Sequence, residues 1–217
     1  MKEKNINLKN NLEIINKFED AGKTTMIIAE NKKIIGVIAV ADTIKEDSVQ
    51  AIRELNAKGY KTVMITGDNE RTAKAIAAQV GISEVIANVL PEEKAKKIEE
   101  LQQQGMVAFV GDGINDAPAL KQANVGIAMG SGTDIAIEAG DIVLTKSSLV
   151  GVTQSINLSK ATFKKIKQNL FWAFAYNVVA IPLAIGGLLH PVIAEIAMAL
   201  SSITVVSNAN LLRRARI

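Results

Sequence analysis

Residues 106–120 read MVAFVGDGINDAPAL. An apolar run, Met106–Val110, stops at Gly111-Asp112-Gly113, and a helix-forming stretch from Asn115 to Ala123 follows. A strand that closes in a glycine-bounded turn and passes straight into a helix is the repeating unit of parallel sheets. The same alternation extends in both directions. Upstream, Ile34–Ala41 reads as a strand bounded by Asp42, and Ser48–Lys58 as a helix ending at Gly59. Thr62–Thr66 is a strand closed by Gly67-Asp68, and Glu70–Val80 a helix ending at Gly81. Val85–Val89 is strand-like, and Pro91 opens a charged helix that stops at Gly105. Downstream come a strand at Val125–Met129, a short helix at Thr133–Ala139 and a last strand at Ile142–Leu144. This order predicts an α/β fold, a parallel sheet with helices on both faces. Ligands of such sheets lie beyond the carboxyl ends of the strands. The Thr66-Gly67-Asp68 and Gly111-Asp112-Gly113 turns both follow strands and should share that edge. Residues 1–33 are less regular, with one strand predicted over Thr24–Ala29.

The composition divides the chain. Its 217 residues are 48% hydrophobic and 22% charged, with a mean hydropathy of +0.20. Residues 1–169 carry 22 Lys/Arg and 21 Asp/Glu, whereas residues 170–212 carry one charge, Glu195. A disordered chain is excluded by the apolar content. With no cysteine and one histidine, a disulfide framework, a zinc finger, a thiol nucleophile and a His-rich metal site are excluded as well. The net charge of +3 does not predict nucleic acid as a partner, because the excess flanks the apolar region instead of covering a soluble face.

Leu170–Leu189 is a run of 20 residues without Asp, Glu, Lys or Arg. At about 1.5 Å per residue it spans roughly 30 Å, the thickness of the hydrocarbon core. A turn, Gly186–Pro191, leads into a second apolar stretch, Val192–Leu212. A soluble helical hairpin is disfavoured because the first run is too long and too uniformly apolar. Lys160, Lys164, Lys165 and Lys167 precede the region, Arg213, Arg214 and Arg216 follow it, and the turn has no Lys or Arg. The positive-inside rule then predicts a multi-pass hairpin in the plasma (inner) membrane, in contact with lipid, with both termini cytoplasmic.

At the predicted sheet edge, Asp112 and Asp116 stand four residues apart around a glycine-rich turn. Two such carboxylates can converge on a hard cation, and Mg²⁺ favours one or two carboxylates with phosphate and water. Lys94 can present a point charge to a phosphoryl oxygen, and Thr66 a hydroxyl. Taken singly, these residues read as helix caps and solvated charges; their order at strand ends makes the pattern specific.

Three segments carry a family resemblance: Met64-Ile-Thr-Gly-Asp-Asn69, Leu90-Pro-Glu-Glu-Lys94 and Val110-Gly-Asp-Gly-Ile-Asn-Asp-Ala-Pro-Ala-Leu120. They resemble the downstream signatures of P-type ATPases of the haloacid dehalogenase superfamily. Asn169–Asn177 and Met198–Ser202 with Val205–Asn208 resemble the last two membrane helices of the copper(I)-transporting branch. The resemblance implies a Rossmann-like, haloacid dehalogenase-like domain followed by a transmembrane hairpin. It implies that Thr66, Gly67, Asp68, Lys94 and Asn115 serve phosphoryl chemistry, that Asp112 and Asp116 hold Mg²⁺, and that ATP is the nucleotide. It also implies that Tyr176, Asn177, Met198, Ser201 and Ser202 line a Cu⁺ path. The domains it implies are a nucleotide-domain remnant (1–33), the phosphorylation domain (34–150), a connecting helix (151–169) and the hairpin (170–212).

The sequence also departs from the family. The Asp-Lys-Thr-Gly-Thr phosphorylation motif, the Thr-Gly-Glu motif and Cys-Pro-Cys are not among these residues. Asp42 matches a hinge position, with Glu46 where the family often has Pro, and it lacks the following Lys-Thr or second Asp of a nucleophile. The leading expectation is therefore a piece of a copper(I)-exporting pump that is inactive alone, with a separate chain as a candidate source of the missing parts. The alternatives are a membrane-anchored phosphatase of the same superfamily and a non-catalytic module that binds a full pump.

Overall fold

The computed structural model describes residues 12–31, 33–41, 43–130, 133–188 and 190–214. The chain forms two compact units, Met1–Thr153 and Gln154–Ile217.

The first unit opens with helix α1 (Leu12–Asp20) and strands β1 (Thr24–Glu30) and β2 (Lys33–Val40). These strands pair antiparallel, with Met26 opposite Ile38 and Ile27 opposite Val37. The turn between them begins at Asn31, whose positive φ of 47° is a conformation asparagine tolerates well. This corrects the expectation that Ile34–Ala41 enters the parallel sheet. The β-branched run does form a strand, but its partner is the preceding strand. Asp42 lies outside the described residues, and so does any hinge role there.

The parallel part comprises β3 (Val63–Ile65), β4 (Glu84–Ile86), β5 (Ala108–Gly111), β6 (Val125–Met129) and β7 (Ile142–Leu144). It is hydrogen-bonded in two pieces, β3-β4 and β5-β6-β7, every pair parallel. Helices α2 (Glu46–Ala57), α3 (Glu70–Val80), α4 (Lys94–Gln102), α5 (Ala117–Gln122) and α6 (Asp134–Ala139) connect them. Helix α3 packs against α1 and α2, while α4, α5 and α6 pack side by side. The ends of α3 follow from its sequence. The Asn69 side chain accepts the Thr72 N–H at its start, and Gly81, at φ +84°, terminates it in the left-handed region.

The core of this unit lies over β6, where Leu120, Ala128, Ala136 and Ala139 are buried with Phe109 and Ala117 packed against them. Glycine makes that layer possible. A Cβ on Gly126 would stand 2.5 Å from the Leu120 carbonyl oxygen, so α5 reaches the strand only because no side chain intervenes.

The second unit is helical. Helix α7 (Val150–Ile185) enters it and is followed by α8 (Pro191–Asn210) and a short 3-10 turn, Leu211–Arg214. Gly187, at φ +68°, turns the chain between them. His190 caps α8 by accepting the Val192 N–H at 3.3 Å, and Pro191 occupies the first turn, where it has no N–H to satisfy. Both helices are long and apolar enough to cross a membrane, and nothing in their apolar windows is buried.

Candidate functional site

The site is assembled from the turns that leave β3, β4 and β5. After β3, the Thr66 hydroxyl donates to Asp68 Oδ2 at 2.9 Å and accepts the Asp68 N–H at 3.1 Å. The other Asp68 oxygen accepts from the Thr24 hydroxyl at 3.0 Å. The loop after β4 is tied to this turn, because Asn88 N–H donates to the Asp68 carbonyl and Val89 N–H to that of Thr66. Asn88 adopts φ 55°, a second left-handed asparagine. That loop runs into a 3-10 turn, Pro91–Glu93, in which Glu93 accepts the Leu90 N–H and sets the start of α4. Lys94 is the first residue of α4.

Lys94 Nζ donates to Asp116 Oδ1 at 2.7 Å, and both side chains are mostly shielded, at 19% and 12% exposure. Asp116 Oδ2 accepts the backbone N–H groups of Asp112 and Gly113 at 3.3 and 3.2 Å. Asp116 is thus a buried carboxylate with one ammonium and two amides around it, which is how a buried charge becomes tolerable. Gly111 is needed here as well, because a Cβ on it would stand 2.8 Å from Asp116 Cβ. The Asp112 carbonyl accepts the Thr133 N–H at 3.1 Å, while the Asp112 and Asn115 residues themselves are exposed.

The sequence places Asp112 and Asp116 as two carboxylates able to converge on a cation. The fold compensates one of them: Asp116 is neutralised by Lys94 and closes the turn. Sequence spacing missed the pair because its members lie 22 residues apart. The local part is the reach of Asp116 back to the Gly113 N–H three residues before it. The role of Thr24 was not readable. Chemically, the two donors that could hold a phosphoryl oxygen, Lys94 and the Thr66 hydroxyl, are each occupied by a carboxylate. Asp112 is exposed, whereas both Asp116 oxygens are engaged, one by Lys94 and one by two backbone amides, and no cluster of three or more metal-ligating side chains occurs among the described residues.

The membrane residues do not converge in the same way. Tyr176 Oη meets Thr204 Oγ1 at 3.5 Å, on the seam between α7 and α8. Asn177 is exposed, and its Nδ2 donates to the Ala173 carbonyl of its own helix at 2.8 Å. Ser202 Oγ donates to the Met198 carbonyl at 3.2 Å, and the Met198 side chain is on the open surface with the residue 70% exposed. Ser201 is half-buried. The hairpin holds Tyr176 on its inner seam and Asn177, Met198 and Ser202 outside it.

Residues 2–124 match the haloacid dehalogenase-like hydrolase family. The whole chain is 53% identical over 218 aligned residues to a copper-exporting P-type ATPase of Staphylococcus saprophyticus, covering 28% of that protein. It is 58% identical over 199 residues to a probable copper-importing P-type ATPase A of Enterococcus hirae, with 90% of the chain and 27% of that protein aligned. Among solved structures, a zinc-transporting PIB-type ATPase in the E2.Pi state superposes with a TM-score of 0.81 at 42% identity, over 95% of this chain and 34% of that one. The chain spans a little over a quarter of the length of these curated relatives.

Proposed function

The chain belongs to the haloacid dehalogenase-like hydrolase family, and from that premise we propose that it is the carboxyl-terminal part of a copper(I)-transporting P-type ATPase. In this reading its first unit supplies one side of a phosphoryl-transfer site, its hairpin forms part of the path of the Cu⁺ substrate, and ATP is the phosphoryl donor. The acceptor carboxylate is not among these 217 residues, so they form no aspartyl phosphate by themselves. The observation that carries the reading is the Lys94–Asp116 pair at the carboxyl edge of the sheet, tied through the β4 loop to Thr66 and Asp68.

That pair has a consequence for binding. A phosphoryl oxygen that takes the Lys94 ammonium must displace Asp116 Oδ1, and one that takes the Thr66 hydroxyl must displace Asp68. The first displacement takes the ammonium from a shielded carboxylate, which is costly, while Asp68 keeps its bond from the Thr24 hydroxyl. Asp112 and Asp116 would hold Mg²⁺, which supplies positive charge beside the transferred group. Anion and cation therefore each release the other's partner, and their binding is mutually dependent. Titration calorimetry of the full chain with Mg²⁺, with vanadate and with both tests this. We expect measurable heat only with both together, and its loss in Asp112→Asn. Equal Mg²⁺ affinity with and without vanadate would overturn the proposal.

The basic flanks support a hairpin with both ends cytoplasmic. A reporter fused after Ile217 should be active only as a cytoplasmic fusion; activity on the outer side would reverse the topology. The direction of copper movement is a separate matter, since relatives of similar identity are named as an exporter and as an importer.

A further inference from the structure

Between α7 and α8 the described contacts are unevenly distributed. Towards the turn the helices leave an open apolar groove of about 370 Å³, lined by Trp172, Tyr176, Val179, Leu183, Ile193 and Ala197 among others. At the opposite end they are joined by a chain of hydrogen bonds. Lys165 Nζ donates to Asn208 Oδ1 at 2.8 Å, and Asn208 Nδ2 donates to Asn169 Oδ1 at 2.7 Å, all part-buried. Lys165 and Asn169 are one helical turn apart on α7, so both face the single amide on α8. Asn208 uses its acceptor and a donor at once, and every bond runs in the same direction, an arrangement in which neighbouring bonds strengthen one another.

Lipid offers two apolar helices no solvent-driven reason to stay together, so packing and interhelical hydrogen bonds set their separation. Here the groove contributes little close packing. A further polar contact across the seam, the Tyr176–Thr204 approach, is long at 3.5 Å. The Thr204 hydroxyl already donates to the Leu200 carbonyl at 2.8 Å, which leaves Tyr176 as the donor. The Gly186-Gly187 turn ties the helices at one end only.

We propose that Lys165, Asn169 and Asn208 form a polar clamp that holds the ends of the hairpin remote from its turn together, and that they are positioning residues for the groups farther along it. With the clamp closed, Tyr176 lies on the seam opposite Thr204, and Asn177, Met198 and Ser202 face away from it. With the clamp open, the helices pivot about the glycine turn and that partition is lost. The clamp stands on its own contacts; only its importance for a Cu⁺ path rests on the function proposed above.

The absence of cysteine makes the test direct, because introduced cysteines are the only ones in the chain. The full chain in lipid nanodiscs carries spin labels either at Lys164→Cys with Ala209→Cys, beside the clamp, or at Ile185→Cys with Val192→Cys, beside the turn. All four positions are exposed. Both distance distributions should be narrow in the parent. Asn208→Leu and Lys165→Met should broaden the clamp-side distribution and lengthen it, with the turn-side pair unchanged. Asn208→Asp, which keeps an acceptor for Lys165, should restore the narrow distance. An unchanged clamp-side distance in Asn208→Leu overturns the proposal. Equal broadening of both pairs also overturns it, since Asn208 would then serve hairpin formation in general. Failure of Asn208→Asp to restore the distance overturns the assignment of Lys165 as partner.

Discussion

The two units place their apolar side chains in opposite ways. In the first, Ala51, Ala73, Ala119, Leu120, Ala128 and Ala136 have no exposed surface, and the layer over β6 is so close that Gly126 has no room for a methyl group. In the second, Phe171, Phe174, Val178 and Met198 are 64–70% exposed. Yet the second unit is the more apolar in sequence. Water removes apolar surface from the first unit and thereby specifies its packing. Lipid makes no such demand on the second, whose outward residues are already in a matching solvent. Specificity in the first unit therefore rests on steric fit, and in the hairpin on a few polar bonds.

The largest expected effect breaks the first unit and spares the second. Gly126→Val would drive a side chain into the Leu120 carbonyl and should destabilise the first unit by more than about 3 kcal/mol. The chain has one tryptophan, Trp172, and it lies in the hairpin. Amide exchange protection across β5, β6 and α5 should collapse while Trp172 emission keeps its position. A red shift of Trp172 in step with the exchange would show that the units do not fold separately.

Lys94→Ala comes next, at about 2 kcal/mol. Breaking a buried pair by removing one partner costs several kcal/mol, and the 12–19% exposure of these side chains reduces that figure. A chemical denaturation midpoint on the chain measures it. Lys94→Met should cost about as much, because the stranded Asp116 carboxylate, and not lost volume, sets the effect. Thr72→Val should cost about 1 kcal/mol. Thr72 is fully buried, and its hydroxyl donates to the Lys23 carbonyl at 3.1 Å, the bond that joins α3 to the chain before β1.

These sites differ in how far the sequence revealed them. Helix α3 was legible over Glu70–Val80 because its apolar spacing and the terminating Gly81 are local, while its Asn69 cap is a finding of the structure. Strand β6 was legible as an unbroken apolar run, the mark of a strand buried on both faces, and β7 as a short apolar run, although its Val143 is exposed. Strand β2 was legible as a strand but not in its pairing. Periodicity reports which faces are buried, not which neighbour supplies the hydrogen bonds, and the signal that would have decided it was Asn31 in a two-residue turn between apolar runs. The edge that gathers Thr66, Lys94, Asp112 and Asp116 followed from strand-end logic. The Lys94–Asp116 pair did not, since long-range pairing leaves no trace in local spacing. The Lys165–Asn208–Asn169 chain was hidden for the same reason: asparagines in an apolar stretch announce polar contact, but not with whom.

The smallest expected effect on stability is the sharpest test of how the hairpin differs from the first unit. Met198→Leu exchanges side chains of nearly equal volume, a change that usually costs less than about 1.5 kcal/mol even inside a core. Met198 is 70% exposed on α8, and its main chain, not its side chain, accepts the Ser202 hydroxyl. In lipid, both thioether and isobutyl groups are at home, so the thermal midpoint of the hairpin, followed by Trp172 emission, should not move. A thioether is nevertheless a soft ligand and an alkyl group is none. If the outward face of α8 serves Cu⁺ in an assembled pump, the same substitution should abolish Cu⁺-stimulated ATP turnover there while leaving fold and insertion intact. A measurable fall in the thermal midpoint would instead place Met198 in a packed contact. It would then resemble the small buried residues of the first unit, and the case for a metal-facing side chain would fail.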